Sequence, residues 1–240
     1  DNGHATVRAV GTSMPSVKQC LRQSSERLLR ALPGLGGLIL ITASEYPSHC
    51  YRNLRPGALE GDPDNGAPVD CERCARRSAA DVVSEIITLV RDGVRAVSDT
   101  AHVIAWNWSW SYLEKDPSPN IIRGLPHDVV LMADFERGDS REILGKVRLL
   151  DEYSLSFAGP SRRFLSCLKM AREQNLAMIA KLQLGTTHEL ASVPNLPLLG
   201  NLYEKARQMR KLGIGGFMGC WNFGNMITAN PAAFNYFFNA

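Results

Sequence analysis

The chain has 240 residues, of which 45% are hydrophobic and 21% are charged, and its formal net charge is only +3. This composition is typical of a globular protein, so we expect one domain over residues 1–240, or a fragment of one. The charge is spread along the chain and no apolar run is long enough to span a bilayer, so we expect neither nucleic acid nor a membrane as partner.

Helical and strand patterns alternate along the chain. The first helical pattern, PSVKQCLRQSSERLLRAL, leads into the apolar strand GGLILITASE. Ser78 is a plausible N-cap of the second helix. The helices are predicted at 15–32, 78–97, 161–175 and 199–213, the strands at 36–45, 102–110, 128–138, 176–189 and 213–225, and a possible sixth strand at 5–11.

Apolar strands that alternate with amphipathic helices indicate a parallel sheet covered on its faces, which is the α/β class. Polar or aromatic residues end each strand, and no Gly-x-Gly-x-x-Gly or Walker-type phosphate loop is present. In a (β/α)8 barrel the strand ends build the active site, whereas an open sheet gathers ligands in one crevice. We therefore expect the C-terminal portion of a TIM-type barrel, with five or six strands and no organic cofactor.

The strand ends carry residues suited to sugar chemistry. Glycosidic cleavage needs one carboxyl group to protonate the leaving oxygen and a second to act as nucleophile or base, and Glu45 and Glu189 both end predicted strands. Indole rings suit the apolar face of a pyranose. We expect a carbohydrate substrate, with these residues binding it: Trp106, Trp108, Trp221, Asn222, His188, Gln183 and Asp134.

Structural roles remain open for several of these residues. The tryptophans could be core and rim packing, and Glu45 could form a salt bridge with a neighbouring Arg. Of Asp134 and Glu136, which lie two residues apart, we expect one to be a surface or salt-bridge residue. Arg137 and Arg52 could bind an anionic sugar, but could equally serve in ion pairs.

Several segments also carry a resemblance, namely GLGGLILITASEYPSHCYR, CERC, HVIAWNWSW and KLQLGTTHELASVPNLPLLGNLYEKARQMRKLGIGGFMGCWNFGN. Together they resemble a family of bacterial barrel proteins related to glycoside hydrolases. In retaining glycosidase barrels, the acid/base glutamate ends the fourth strand, the nucleophile glutamate the seventh, and a tryptophan the eighth. If residues 36–45 form the fourth strand, the resemblance implies these roles for Glu45, Glu189 and Trp221.

One position departs from the pattern of retaining glycosidases. They usually carry Asn before the acid/base residue, where this chain has Ser44. A hexosaminidase-type barrel is the alternative; there Glu45 stays the acid, the substrate's acetamido group is the nucleophile, and Glu189 only binds a hydroxyl. A carbohydrate-binding protein without catalysis, on a degenerate barrel, is a further alternative.

A group of cysteines lies on one long loop, residues 46–77. Cys71 and Cys74 form a CxxC motif, and Cys50 and His49 precede it. Zinc is commonly held by a set of four cysteines, or by three cysteines and one histidine, so a structural zinc is our first interpretation. A disulfide from Cys50 to Cys71 or Cys74, or unrelated thiols, remain alternatives. A reduced metal site and the lack of a signal-peptide pattern favour the cytoplasm.

Overall fold

A computed structural model describes residues 10–43, 48–51, 72–150, 153–185, 193, 195–220 and 227–240. Within these ranges the helices and strands are α1 Pro15–Ala31, β1 Gly37–Ile41, α2 Ala79–Arg95, β2 His102–Trp106, α3 Pro119–Arg123, β3 Val130–Asp134, β4 Asp139–Ile143, β5 Lys146–Leu150, α4 Arg162–Glu173, β6 Met178–Leu182, α5 Leu199–Lys211, β7 Phe217–Gly219 and α6 Ala229–Asn239. The four predicted helices are confirmed, and so is a strand within each of the five predicted main strand segments; each strand is shorter than predicted.

Five of the strands form one sheet in the order β1-β2-β3-β6-β7. The pairs β1–β2 and β6–β7 are parallel, with Gly37 opposite His102 and Ala180 opposite Phe217. The strand order follows the chain, without the reversal that marks a doubly wound sheet. The α/β class is therefore confirmed, and the predicted strand at 5–11 lies outside the described residues except for Val10 and Gly11, which are not in a strand.

By contact density the chain divides into two compact units, which we call unit 1 and unit 2. Unit 1 comprises Asp1–Leu131 with Glu173–Ala177, and unit 2 comprises Met132–Arg172 with Met178–Ala240. The division runs through β3. One domain over residues 1–240 stays a prediction.

In unit 1, helices α1 and α2 pack closely together. Ser78 caps α2, because its hydroxyl accepts a hydrogen bond from the Asp81 backbone N–H while the Asp81 carboxylate accepts one from the Ser78 N–H. Gly93 of α2 lies against α1, where a Cβ atom would come within 2.2 Å of the Arg22 carbonyl oxygen and 2.9 Å of the Ser25 Cβ. Gly93 therefore sets the spacing of the two helices.

Strand β2 is shorter than the sequence pattern predicted. It ends at Trp106, and Ser109 has a left-handed backbone with φ of 63°. A residue with positive φ cannot continue a strand, so Trp108 and Trp110 lie in a turn and a 3₁₀ helix. The three tryptophans therefore do not alternate along one strand.

In unit 2, a hairpin that the sequence analysis missed joins β3 to α4. Strands β4 and β5 pair in antiparallel register, with Asp139 opposite Leu150 and Ile143 opposite Lys146. The two-residue turn has φ of 51° at Leu144 and 72° at Gly145, and positive values at both positions match the twist of a tight hairpin.

None of the helices in the described ranges has the length and apolar character needed to cross a bilayer.

The close approach at Gly93 gives a stability prediction. We expect Gly93→Ala to lower the free energy of unfolding by about 1–3 kcal/mol, because the added methyl group overpacks the α1–α2 contact. Gly200→Ala is the control, since Gly200 is also helical but has no atom near its Cβ position; it should be neutral or stabilising by less than about 1 kcal/mol. Urea denaturation measures both, and equal effects would contradict the role of Gly93.

Candidate active site

Unit 2 contains a group of buried charged and polar side chains around the ends of β3 and β6. We call it the buried charge cluster. Asp134 ends β3, and Gln183 directly follows β6. Almost no surface of these side chains is exposed, so their charges have lost contact with bulk water. The members are Asp134, Glu136, Arg137, Arg163, Lys181, Gln183 and Lys205.

An ion pair between Glu136 and Lys205 lies at the centre of the cluster. The Lys205 ammonium of α5 contacts Glu136 Oε1, and it also donates to the carbonyl oxygens of Ser154 at 2.8 Å and Gln183 at 3.1 Å. Glu136 Oε1 accepts a further hydrogen bond from the Gln183 backbone N–H at 3.0 Å. These contacts join α5, the end of β6 and the residues after β3.

The second carboxylate of the cluster, Asp134, lies between two arginines. Its Oδ2 is 3.6 Å from Arg163 Nη1 of α4 and 4.0 Å from Arg137 Nη1. Asp134 and Glu136 are both fully buried, so neither is the surface residue that the sequence allowed for; both pair with basic side chains. Glu136 lies in a bend two residues beyond the end of β3.

Lys181 lies near the end of β6 and is fully buried. Its ammonium group is 2.9 Å from the ring centroid of Tyr153 and donates a hydrogen bond to Gln183 Oε1 at 3.1 Å. An aromatic face and an amide oxygen both stabilise a cation. The predicted sugar ligand Gln183 is therefore held by protein contacts through its backbone and its side chain, and its role toward a substrate stays a prediction.

The candidate tryptophans of unit 1 differ in exposure. Trp106 is fully buried, as a core residue would be, whereas Trp108 is half-buried with its ring centroid 6.1 Å from that of Trp106. Among the described residues no acceptor binds Trp108 Nε1. Trp110 is buried and donates to Thr42 Oγ1 at 2.9 Å. Trp108 is thus the tryptophan of β2 and its turn whose ring surface best suits a ligand, although its N–H group is buried.

Part of the cysteine loop is buried in unit 1. Cys50, Tyr51 and Cys74 pack with Val82 and Ile86 of α2, and the Tyr51 hydroxyl donates to the Cys74 carbonyl oxygen at 2.9 Å. Between the two described thiols, Cys50 and Cys74, no disulfide is formed. Cys74 Sγ lies 3.2 Å from the Ser13 hydroxyl.

His49 adds a neutral imidazole to this loop. Burial lowers the pKa of His49 to about 4, although the backbone groups of Thr42 and Tyr51 oppose the shift. The ring is therefore uncharged near pH 7, which is the form that binds metals. Within the described residues no three potential ligands form a metal-binding group, and Cys71 lies outside them. The zinc site stays a prediction.

The predicted catalytic pair lies outside the described residues. Glu45 follows β1 by four positions, and Glu189 follows β6 by seven. The other predicted ligands that lie outside are His188, Trp221 and Asn222.

Three members of the cluster were not predicted from the sequence, although the sequence pattern marks two of them as unusual. Lys181 interrupts the apolar pattern of β6. Lys205 shares one face of α5 with Leu202, Ala206 and Met209, at the spacing of a buried stripe. A lysine on an apolar stripe predicts a buried ion pair. The third, an arginine of α4, had no comparable signal.

Comparison with known proteins adds one distant structural neighbour. No protein-family model and no curated protein sequence matches the chain. The catalytic domain of a beta-amylase from Paenibacillus polymyxa aligns over 93% of this chain and 53% of its own, with a TM-score of 0.43 and 10% identity. The chain thus spans about half the length of that structure. At this level of similarity the fold assignment depends on the strand order of the chain itself.

The ion pair gives the second prediction. Lys205→Met and Glu136→Gln should each lower the free energy of unfolding by about 3–5 kcal/mol, because each leaves part of a buried charge pair uncompensated. The double variant should lose less than the sum of the two. The exposed pair Glu26–Arg30 of α1 is the control, with a coupling of about 0.3–0.5 kcal/mol. Additive losses at Glu136 and Lys205 in urea denaturation would contradict the coupling.

The third prediction concerns the cysteine loop. If Cys50, Cys71, Cys74 and His49 hold a structural zinc, the purified protein carries about one zinc per chain, and Cys74→Ser loses it together with thermal stability. Cys20→Ser is the control, because Cys20 is exposed on α1. Elemental analysis and thermal unfolding with and without chelator measure the effect. A metal-free protein whose stability is the same with added zinc and with chelator excludes the site.

Proposed function

We propose that the protein is a glycoside hydrolase, with Glu45 as general acid/base and Glu189 as nucleophile or second carboxylate. The buried charge cluster is the observation that carries the proposal. Charged groups are costly to bury, and barrel enzymes gather them at the carboxyl ends of the strands, where the chemistry takes place. Unit 2 has its cluster at the ends of β3 and β6.

The strand order supports the barrel part of the proposal. In a (β/α)8 barrel each parallel strand lies beside the next one along the chain. The order β1-β2-β3-β6-β7 has this property once the β4–β5 hairpin is set apart as an insertion. The five parallel strands then count as consecutive strands of a barrel.

The Glu136–Lys205 pair supports a positioned carboxylate after β6. Its contacts fix both the N–H and the carbonyl oxygen of Gln183, and Glu189 follows Gln183 by six residues. Catalytic groups have to be held within a fraction of an ångström of their working geometry. A buried ion pair at the start of the segment that leads to Glu189 suits that requirement.

Trp108 supports a carbohydrate substrate. Its ring is half-buried. A sugar can place an apolar C–H face against the accessible part of the ring. Trp221 and Asn222 are proposed to complete this surface.

The fourth prediction tests the acid/base role. On a panel of aryl glycosides, Glu45→Gln should lower kcat by about 10²–10⁴-fold, because the leaving oxygen loses its proton donor. Activated dinitrophenyl leaving groups should lose much less, since they depart without protonation. Glu26→Gln on α1 is the control and should leave the rate unchanged.

The role of Glu189 has a separate measurement. In a retaining enzyme, Glu189→Ala should lose turnover and regain part of it with azide, which takes the place of the missing nucleophile. Unchanged rates in both the Glu45 and Glu189 variants would remove the pair from the mechanism. Saturable sugar binding without hydrolysis in the unaltered protein would favour the carbohydrate-binding alternative.

A further inference from the structure

The β4–β5 hairpin of unit 2, Asp139–Leu150, has two chemically different faces. Antiparallel pairing places Arg141 directly opposite Arg148, and Lys146 lies two residues from Arg148 on the same face. The opposite face carries Val147 and Leu149, both exposed. We call the first of these the basic face.

The pairing of Arg141 with Arg148 costs stability. Side chains directly opposite on a sheet have Cβ atoms roughly 4.5–5.5 Å apart, and like charges at that separation repel. A natural sequence that keeps such a local conflict points to a function served by it. An anion lying across both guanidinium groups would turn the repulsion into attraction.

Within the described residues, no carboxylate pairs with the cations of this face. Arg141 donates to the Ser156 carbonyl oxygen at 2.9 Å, which fixes the side chain but supplies no charge. Asp139, at the base of the face, already forms an ion pair with Arg162 at 3.1 Å. Among the described residues no hydrogen bond or ion pair is made by the side chains of Arg148 and Lys146, and both are exposed.

The position of the hairpin connects it to the proposed site. Strand β3 ends at Asp134, and the short segment that joins it to the hairpin carries Glu136 and Arg137. The Gly138 N–H donates to the Leu150 carbonyl oxygen at 2.7 Å and closes the hairpin at its base. A group bound on the basic face is therefore close in the chain to the buried charge cluster.

We propose that the basic face of the hairpin binds an anionic polysaccharide, one that carries carboxylate or sulfate groups. This deepens the proposed function, on which it rests, by naming the substrate class. The Arg141–Arg148 pair is followed, about 7 Å along β5, by Lys146, which lies opposite Ile143. Cations at two successive positions suit a chain with repeated anionic groups better than a single small anion.

Charge argues against a second copy of the chain on this hairpin. Pairing of β5 with β5 of a second copy, in the register that sets Val147 against Leu149, would place Arg148 against Arg148. The register that sets Val147 against itself would place Arg148 against Lys146. Both arrangements repeat the like-charge conflict instead of relieving it.

The test compares polymers that share a backbone and differ in charge. Affinity electrophoresis would measure binding to polygalacturonate and to its methyl-esterified form, and to carboxymethyl cellulose and hydroxyethyl cellulose. We expect the protein to bind at least one acidic polymer and not its neutral counterpart, with an affinity that falls as salt is raised. Binding is read without turnover, so a failure of the glycosidase proposal leaves the result interpretable.

Variants assign the binding to the face. Arg148→Gln with Lys146→Gln should weaken binding of the acidic polymer at least about tenfold, the loss of a charge-assisted contact. Val147→Thr is the matched control, because it alters the opposite face of the same strand and keeps the β-branched shape. Circular dichroism checks that all variants are folded.

Three outcomes would overturn the inference. The first is equal binding to the charged and neutral polymers. The second is an unchanged affinity in the Arg148 and Lys146 variant. The third is equally strong, Arg148-dependent binding to duplex DNA or to vesicles containing phosphatidylglycerol, which would identify a general polyanion or membrane surface.

Discussion

The buried ion pair between Glu136 and Lys205 is the contact on which the described geometry of unit 2 depends. The ammonium group of Lys205 binds a carboxylate and two backbone carbonyl oxygens. It thereby connects α5, to which Lys205 belongs, with Glu136, the end of β6 and the segment around Ser154. Burial removes the alternative of bonding to water, so the pair is satisfied only when these elements are in place. The cost of burying two charges thus becomes a constraint on the positions of several elements.

Stability alone does not account for the cluster. Well-packed apolar residues can replace a buried ion pair at little cost or with a gain. The cluster contains charged residues from β3, β6, α4 and α5 and from the segment after β3. A single ion pair would be enough to connect two of these elements. We therefore interpret it as the support of a site, in which the charges orient the strand ends and shape the electrostatic field there.

The sequence predicted the regular elements well, because the buried stripes of α1, α2, α4 and α5 and the apolar runs of the main strands have clear periods. The hairpin was missed because Leu144 and Gly145 are not one of the strong turn pairs, and because the sequence of β4, DSREI, lacks an alternating apolar pattern. The end of β2 was placed too late, since nothing in WNWSW signals the left-handed backbone at Ser109.

For the candidate site, the sequence pattern predicted the residues at the strand ends but not the helical residues that pair with them. Strand-end position brought Asp134 and Gln183 into the predicted set, and both lie in the buried charge cluster. Other partners in that cluster come from helices, where a pattern of single residues does not say which distant strand end a lysine will reach. Lys205 contacts Glu136, 69 residues earlier in the chain. Periodicity can show that Lys205 is buried, but only the fold can name its partner.

Two features of unit 2 run against stability, and they lie next to each other in the chain. The buried charge cluster removes ions from water, and the hairpin that follows β3 sets the half-buried Arg141 against the exposed Arg148. Natural sequences are locally consistent where stability alone is selected, so conflicts concentrated in one stretch indicate a shared purpose. An acidic sugar polymer would give that stretch one explanation, because its anionic groups would neutralise the two arginines while its glycosidic bond is presented to the ends of β3 and β6.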